Sequence, residues 1–431
     1  MIILRKTFFM FSRKTNWLLL FFFLFGYRAL SQTKTADSLK DLLDKISLST
    51  RPCINDTVYL ATLENLLDAQ QKASAFNDAQ IAAQKGLSLS NNLLDKTTDS
   101  SLKKLFILFK ARFINRTGNL YYVTGKADSA IYYYREAIPL FKQANDSLRL
   151  ARVIGNIGIT YRLKDQYDSA VYYLFFTINN FKEEKFWPAV AICYNSLSII
   201  YRTTHIYNKA LEFSFTALKI ATTLNDKTLI AQVENFISNI YKDLENYQQS
   251  KKYLFLAYTA AKENKNLVGV GFTATNLALL YIHLNRIDSA IAYAKEGLNA
   301  KLKVGNMSVI PTSYEALARV YEEEKNYDSA IYYFTMQIDT ATKYKMSEII
   351  KGGNYLLGNL YLTMSNYALA KKHLLMAHEL TRINPDFSLE INFALSELYE
   401  KLGDYKQSLS YYRAYKAAND SVHNEDLARN L

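Results

Sequence analysis

The chain has 431 residues, 49% of them hydrophobic and 21% charged, a globular balance that excludes the disordered class. Five prolines and 14 glycines leave few breakers in that length, so long helices are easily accommodated. The formal charge of +12 is spread without a Lys/Arg block, which leaves no electrostatic footprint for nucleic acid.

Residues 1–31 read as a signal peptide. Arg13 and Lys14 precede the apolar run WLLLFFFLFGY (17–27), too short for an ordinary span, and Ala29-Leu30-Ser31 supplies small residues for cleavage near Ser31-Gln32. No cysteine sits just past that site, which argues against a lipoprotein. The leader starts at Met1 or, with a more ordinary basic segment, at Met10; an uncleaved anchor is the alternative. Its five cations account for the difference between +12 and a mildly basic +7. The expected location is exported, periplasmic or envelope-associated, with no stable membrane span after cleavage. Cys53 and Cys193 have no metal or redox spacing and are expected to be inert thiols.

Residues 32–100 form an N-terminal helical region. A short amphipathic stretch covers 35–48, and Arg51-Pro52 breaks it. Helices follow over about 57–72 and 77–94, and Phe76-Asn77-Asp78-Ala79 marks a degenerate first repeat. A long helix is predicted from Leu102 through Tyr122. A 40-residue frame then takes over. YRLKDQYDSA (161–170) returns at 201, 241, 281, 321 and 361, with looser copies at 121 and 399. Each unit reads as two helices and a tight turn, eight units over 101–416. The junctions hold cap residues such as Asn145-Asp146-Ser147, with Trp187-Pro188 and Asn384-Pro385 in the same place. Residues 417–431 form a helical tail.

Three columns recur. One holds Gly118, Gly158, Ser198, Ser238, Ala278, Ala318, Gly358 and Ser396; another holds Ala or Ser at 130, 170, 210, 250, 290, 330, 370 and 408. Small residues there imply close helix crossings. A tyrosine follows the first column by three each time, as at Tyr161 and Tyr361, and is expected to pack, its hydroxyl reaching a polar group at the turn.

These columns resemble the tetratricopeptide repeat (TPR), a helix-turn-helix of about 34 residues. Ile157-Gly158, Tyr161 and Ala170 match its Leu-Gly, Tyr and Ala at the family spacing, as do Leu357-Gly358, Tyr361 and Ala370. The family Trp is absent, and most units lack the closing Pro. The resemblance implies an all-α, TPR-type superhelical solenoid of antiparallel helix pairs, about nine pairs with a 40-residue period. The tail, residues 410–431, resembles the end of the repeat region in exported bacterial sensor proteins.

No enzyme signature is present. Gly125-Lys126 lacks a phosphate-loop frame, no Gly-x-Ser-x-Gly occurs, and His373 and His378 are spaced off one helical face. No cofactor or metal is expected, and the histidines read as solvated or turn residues. The resemblance places helix A residues on a concave groove. The groove candidates are Arg112, Asn115, Asn119, Arg152, Arg162, Asn195, Arg202, Asn235, Asn239, Lys242, Glu315 and Glu322. Its N-terminal half is basic and amide-rich, and its C-terminal half acidic, a polarity that would orient an extended peptide. The family's chaperone-tail clamp is not expected, since Thr312 and Ala316 stand where cations belong. The reading is an exported, non-catalytic scaffold for a protein or peptide partner, of open oligomeric state. The input module of a bacterial signalling system is preferred. An envelope assembly or secretion scaffold, and a truncated sensor kinase or DNA-binding regulator, are the alternatives.

Overall fold

A computed structural model describes residues 32–47, 52–72, 75–305, 307–381 and 388–430. The expected leader, the Asn384-Pro385 junction and the side chains of Cys53 and His423 lie outside the described residues. Helix α1 (Gln32–Ser47) packs on the helix that follows it, and nine antiparallel pairs follow among the described residues. They are α2 (Pro52–Lys72) with α3 (Phe76–Lys96), α4 (Ser100–Val123) with α5 (Ala127–Gln143), and α6 (Ser147–Arg162) with α7 (Tyr167–Asn180). Next come α8 (Trp187–Thr203) with α9 (Tyr207–Thr223), α10 (Lys227–Asp243) with α11 (Tyr247–Glu263), and α12 (Leu267–His283) with α13 (Ile287–Val304). The last three are α14 (Pro311–Glu323) with α15 (Tyr327–Lys343), α16 (Ser347–Thr363) with α17 (Tyr367–Thr381), and α18 (Ser388–Lys401) with α19 (Tyr405–Asn430). The chain is thus an all-helical solenoid, and its last helix runs through the tail without a break.

The small columns do what their size suggests. A Cβ on Gly158 would lie 2.9 Å from Leu174 Cγ and 3.1 Å from the Ala170 carbonyl, so helices of one pair touch at these two columns. The same contact joins Gly358 to Leu374. Side chains beyond that crossing form a series of local apolar clusters, each spanning neighbouring helices, in place of one central core.

The column tyrosines are half-buried, Tyr399 fully so, and each lies against a ring twelve residues on. Tyr121–Tyr133, Tyr161–Tyr173, Tyr241–Tyr253, Tyr281–Tyr293, Tyr321–Tyr333 and Tyr399–Tyr411 all stack with centroids 5.3 to 5.8 Å apart. Tyr201–Phe213 is tilted at 5.3 Å, and Tyr361–His373 stacks at 5.7 Å. His373 is therefore a packing residue rather than a solvated one, and its Nδ1 lies 2.9 Å from Asn354 Oδ1. At Tyr161 the hydroxyl does not reach the turn as expected but accepts from Arg135 Nη2 at 2.8 Å. Turn contacts come instead from the ring that opens helix B, as where Tyr167 donates to Asp165 Oδ1 at 2.8 Å.

The turns share one backbone solution. Asp165, His205, Glu245, Asn285, Lys325 and Ser365 have φ between 52° and 63°, and Gly125 and Gly403 lie at 75° and 73°. In each case the N–H of the next residue donates to the column tyrosine's carbonyl, as Gln166 to Tyr161 and Asn326 to Tyr321. This left-handed cap closes helix A and reverses the chain.

Helix A of one pair also packs on helix A of the next: α6 on α8, α8 on α10, α10 on α12, α12 on α14, α14 on α16, and α16 on α18. No two B helices pack to a like extent. The A helices are thus the crowded, inner row, and their remaining side chains face the inside of the curve.

Candidate protein-binding groove

The inner row gathers its polar residues most densely near the N-terminus. A cavity of about 510 Å³ is lined from five helices, α2, α4, α6, α8 and α10. Arg112, Asn115, Asn119 and Arg152, all read from the sequence, line it together. Arg116, Arg149, Asn156, Gln232, Glu64 and Asp226 complete its polar wall, with Ile159 and Ile192 as apolar floor.

The sequence reading missed the acids that neutralise this wall. Arg112 is bidentate to Glu64, with Nε donating to Oε1 at 3.1 Å, and Arg116 Nη1 reaches Asp68 Oδ1 at 3.0 Å. Arg149 pairs with Asp146, the residue that caps α6. Burial lowers the basicity of Arg112, while Glu64 opposes that shift. Glu64 and Asp68 belong to the degenerate first repeat, where no column marked them as inner residues. Arg152 differs: it is exposed and has no ion pair among the described residues. The buried Asn115 Oδ1 has no hydrogen-bond partner there either.

The other candidates do not join this cavity. Arg162 is half-buried with an unpartnered Nε, and Asn195 has a buried, unpartnered Oδ1. Arg202 Nε donates to Asp243 Oδ2 at 2.6 Å. Asn235 is not free for a ligand backbone at its carbonyl, since Oδ1 accepts from Asn276 Nδ2 at 2.8 Å. Asn239 and Lys242 are half-buried, and burial lowers the Lys242 amine, with Asp243 opposing. Glu315 accepts from Arg319 Nε at 2.9 Å and Gln337 Nε2 at 3.2 Å. Burial raises the Glu322 carboxyl against the pull of Arg319. The groove is therefore less polarised than its column sequence, because pairing cancels much of the charge at both ends. The Cys193 thiol lies at the cavity wall, 2% exposed and pushed up to about 12 by burial, which makes it inert.

Stacked helix pairs with a polar inner row define a helical-repeat solenoid. Two stretches match the family model of the tetratricopeptide repeat, residues 273–303 and 389–419. A comparison with curated proteins returns no match. Among solved structures, a Rap protein complexed with competence and sporulation factor is similar at a TM-score of 0.56 and 14% identity, over 85% of this chain and 99% of its own. The apo form of RapI is similar at 0.52 and 15%, over 81% and 97%. The human IFIT1 dimer with m7Gppp-AAAA is similar at 0.52 and 13%, over 91% and 84%. These likenesses establish a shared fold. No helix among the described residues is long and apolar enough to cross a membrane.

Proposed function

We propose that this chain is a non-catalytic scaffold that holds a segment of a partner protein in the N-terminal part of its groove. The observation that carries this is the convergence of Arg112, Asn115, Asn119 and Arg152 on one cavity, with Arg152 and the Asn115 carbonyl left unpaired. A cation and an orphaned amide suit an extended peptide that offers a carboxylate and backbone N–H groups. The fold of a Rap protein that holds competence and sporulation factor supports capture by such a curve. The leader supports export, and the tail supports an input role in a signalling system.

The test places a photo-crosslinking residue at Ile159, in the cavity, or at Tyr172, 63% exposed on a B helix. Crosslinks to a partner are expected from position 159 alone, and Arg152→Glu abolishes them while the melting curve is unchanged. Equal labelling from both positions would overturn the groove assignment. A partner with a membrane span and an output domain supports the sensor role, whereas a secretion or surface protein favours the envelope scaffold.

A further inference from the structure

Arg112, Arg116, Arg149 and Arg152 all line the cavity, and three of them are answered from within the chain. Arg112 and Arg116 stand one turn apart on α4, and Glu64 and Asp68 stand one turn apart on α2. The two turns meet as a ladder. Arg112 is bidentate to Glu64, Arg116 Nε lies 3.6 Å from Glu64 Oε1, and Arg116 Nη1 lies 3.0 Å from Asp68 Oδ1. Arg149 is held by Asp146 on its own helix end. Arg152 is the exception. The helices on either side give it no acid: α4 presents arginine and asparagine to the cavity, and α8 presents Pro188, Ala189, Ile192 and Cys193.

The wall is therefore close to neutral despite its arginines. Asp226 adds a further carboxylate to the lining, with Oδ1 accepting from the N–H groups of Thr228 and Leu229 at the start of α10. Glu64 is 6% exposed, so the ladder is a fixed part of the wall. Its carboxylates stand where the second and third acids of an acidic segment would otherwise meet Arg112 and Arg116. They also repel such a segment, because an added anion finds the guanidiniums engaged and a like charge beside them.

We propose that Glu64 and Asp68 are specificity-determining residues: they occupy the arginine ladder in place of a ligand, so that the cavity takes a segment with a single carboxylate, set on Arg152, and refuses one with a run of acids. This rests on the groove's holding a partner segment, and it adds which segments are turned away.

A displayed library of random peptides, selected on the full chain, tests it. The parent enriches peptides with one Asp or Glu. Asp68→Asn, at a side chain 31% exposed, frees Arg116, and Glu64→Gln frees Arg112; each shifts the enriched set to several acids. Adding two glutamates beside the acid of the tightest parent peptide weakens its binding to the parent. The same addition tightens binding to Asp68→Asn by about tenfold, the worth of one charge-assisted pair. Melting curves report whether each variant is folded, and if Glu64→Gln is not, Asp68→Asn decides alone. Polyacidic peptides enriched on the parent, or equal charge enriched on the parent and on Asp68→Asn, overturn the role of the two acids and leave the groove assignment standing. No enrichment on the parent above that on Arg152→Glu overturns the groove assignment, and this inference with it.

Discussion

Two buried ionisable side chains set an unusual pH response. Lys301 is 1% exposed, at a position where Phe141 and Ala261 stand in other repeats. Its stem fits because residue 271 is glycine, where a Cβ would come within 2.7 Å of Lys301 Cγ. Its amine donates to Thr312 Oγ1 at 2.8 Å and lies 4.8 Å from the centre of the Phe272 ring. Burial pushes it down to about 7. Glu234 is 9% exposed, and burial pushes its carboxyl up to about 7. The signs oppose each other. Between its ordinary 4.5 and about 7, Glu234 keeps its proton only when folded, so stability falls as pH rises through that window. Between about 7 and 10.5, Lys301 is neutral only when folded, so stability rises through that one. The pair thus contributes a stability minimum near neutral pH. Denaturant midpoints taken across pH should show Glu234→Gln gaining on the parent from pH 4.5 to 7 and holding that gain above. Lys301→Met should show its gain below pH 7 and lose it toward 10.5.

Within one helix pair, the decisive contact is between two small residues. Leucine at 158 would drive into Leu174 and the Ala170 carbonyl, and an overpacked crossing costs about 1–3 kcal/mol. Gly158→Leu should lower the urea midpoint accordingly, and an unmoved curve would contradict the crossing. The small columns and the column tyrosine were legible in the sequence because each recurs at the same step. The second ring of each stack has the same 40-residue recurrence, from Tyr133 to Tyr333, and was open to the same reading. It was hidden by neighbours such as Tyr132 and Tyr134, which differ in fate: one is 58% exposed and the other 1%. The left-handed turn residues were less legible. Glu245 and Lys325 carry no glycine or asparagine signal, and their conformation is imposed by closure of the helix rather than by local preference.

Across the whole molecule, each pair contacts chiefly its sequence neighbours, so stability is expected to be local. Amide hydrogen exchange of Gly158→Leu should speed in α4 through α9 and stay at the parent rate in α16 through α18. A uniform acceleration would show that the solenoid unfolds as one unit. The solenoid was readable because its columns repeat, whereas its groove was readable only in part. Column position identified Arg112 and Arg152 as inner residues, but it carried no information about Glu64 and Asp68. These acids reach the cavity from a helix pair whose columns have decayed, and they decide which arginine is left free.

The turns carry a consequence of their own. In each of the eight repeats that carry a column tyrosine the reversal is closed by main-chain atoms, with that tyrosine's carbonyl as acceptor. No particular side chain is required at the tip, which is why Lys164-Asp165-Gln166 and Thr204-His205-Ile206 hold the same shape. The tips form a row along one edge, spaced by one repeat, with charge and size free to drift while the curvature stays constant. That edge is a surface on which new contacts can evolve without any change to the frame that carries it.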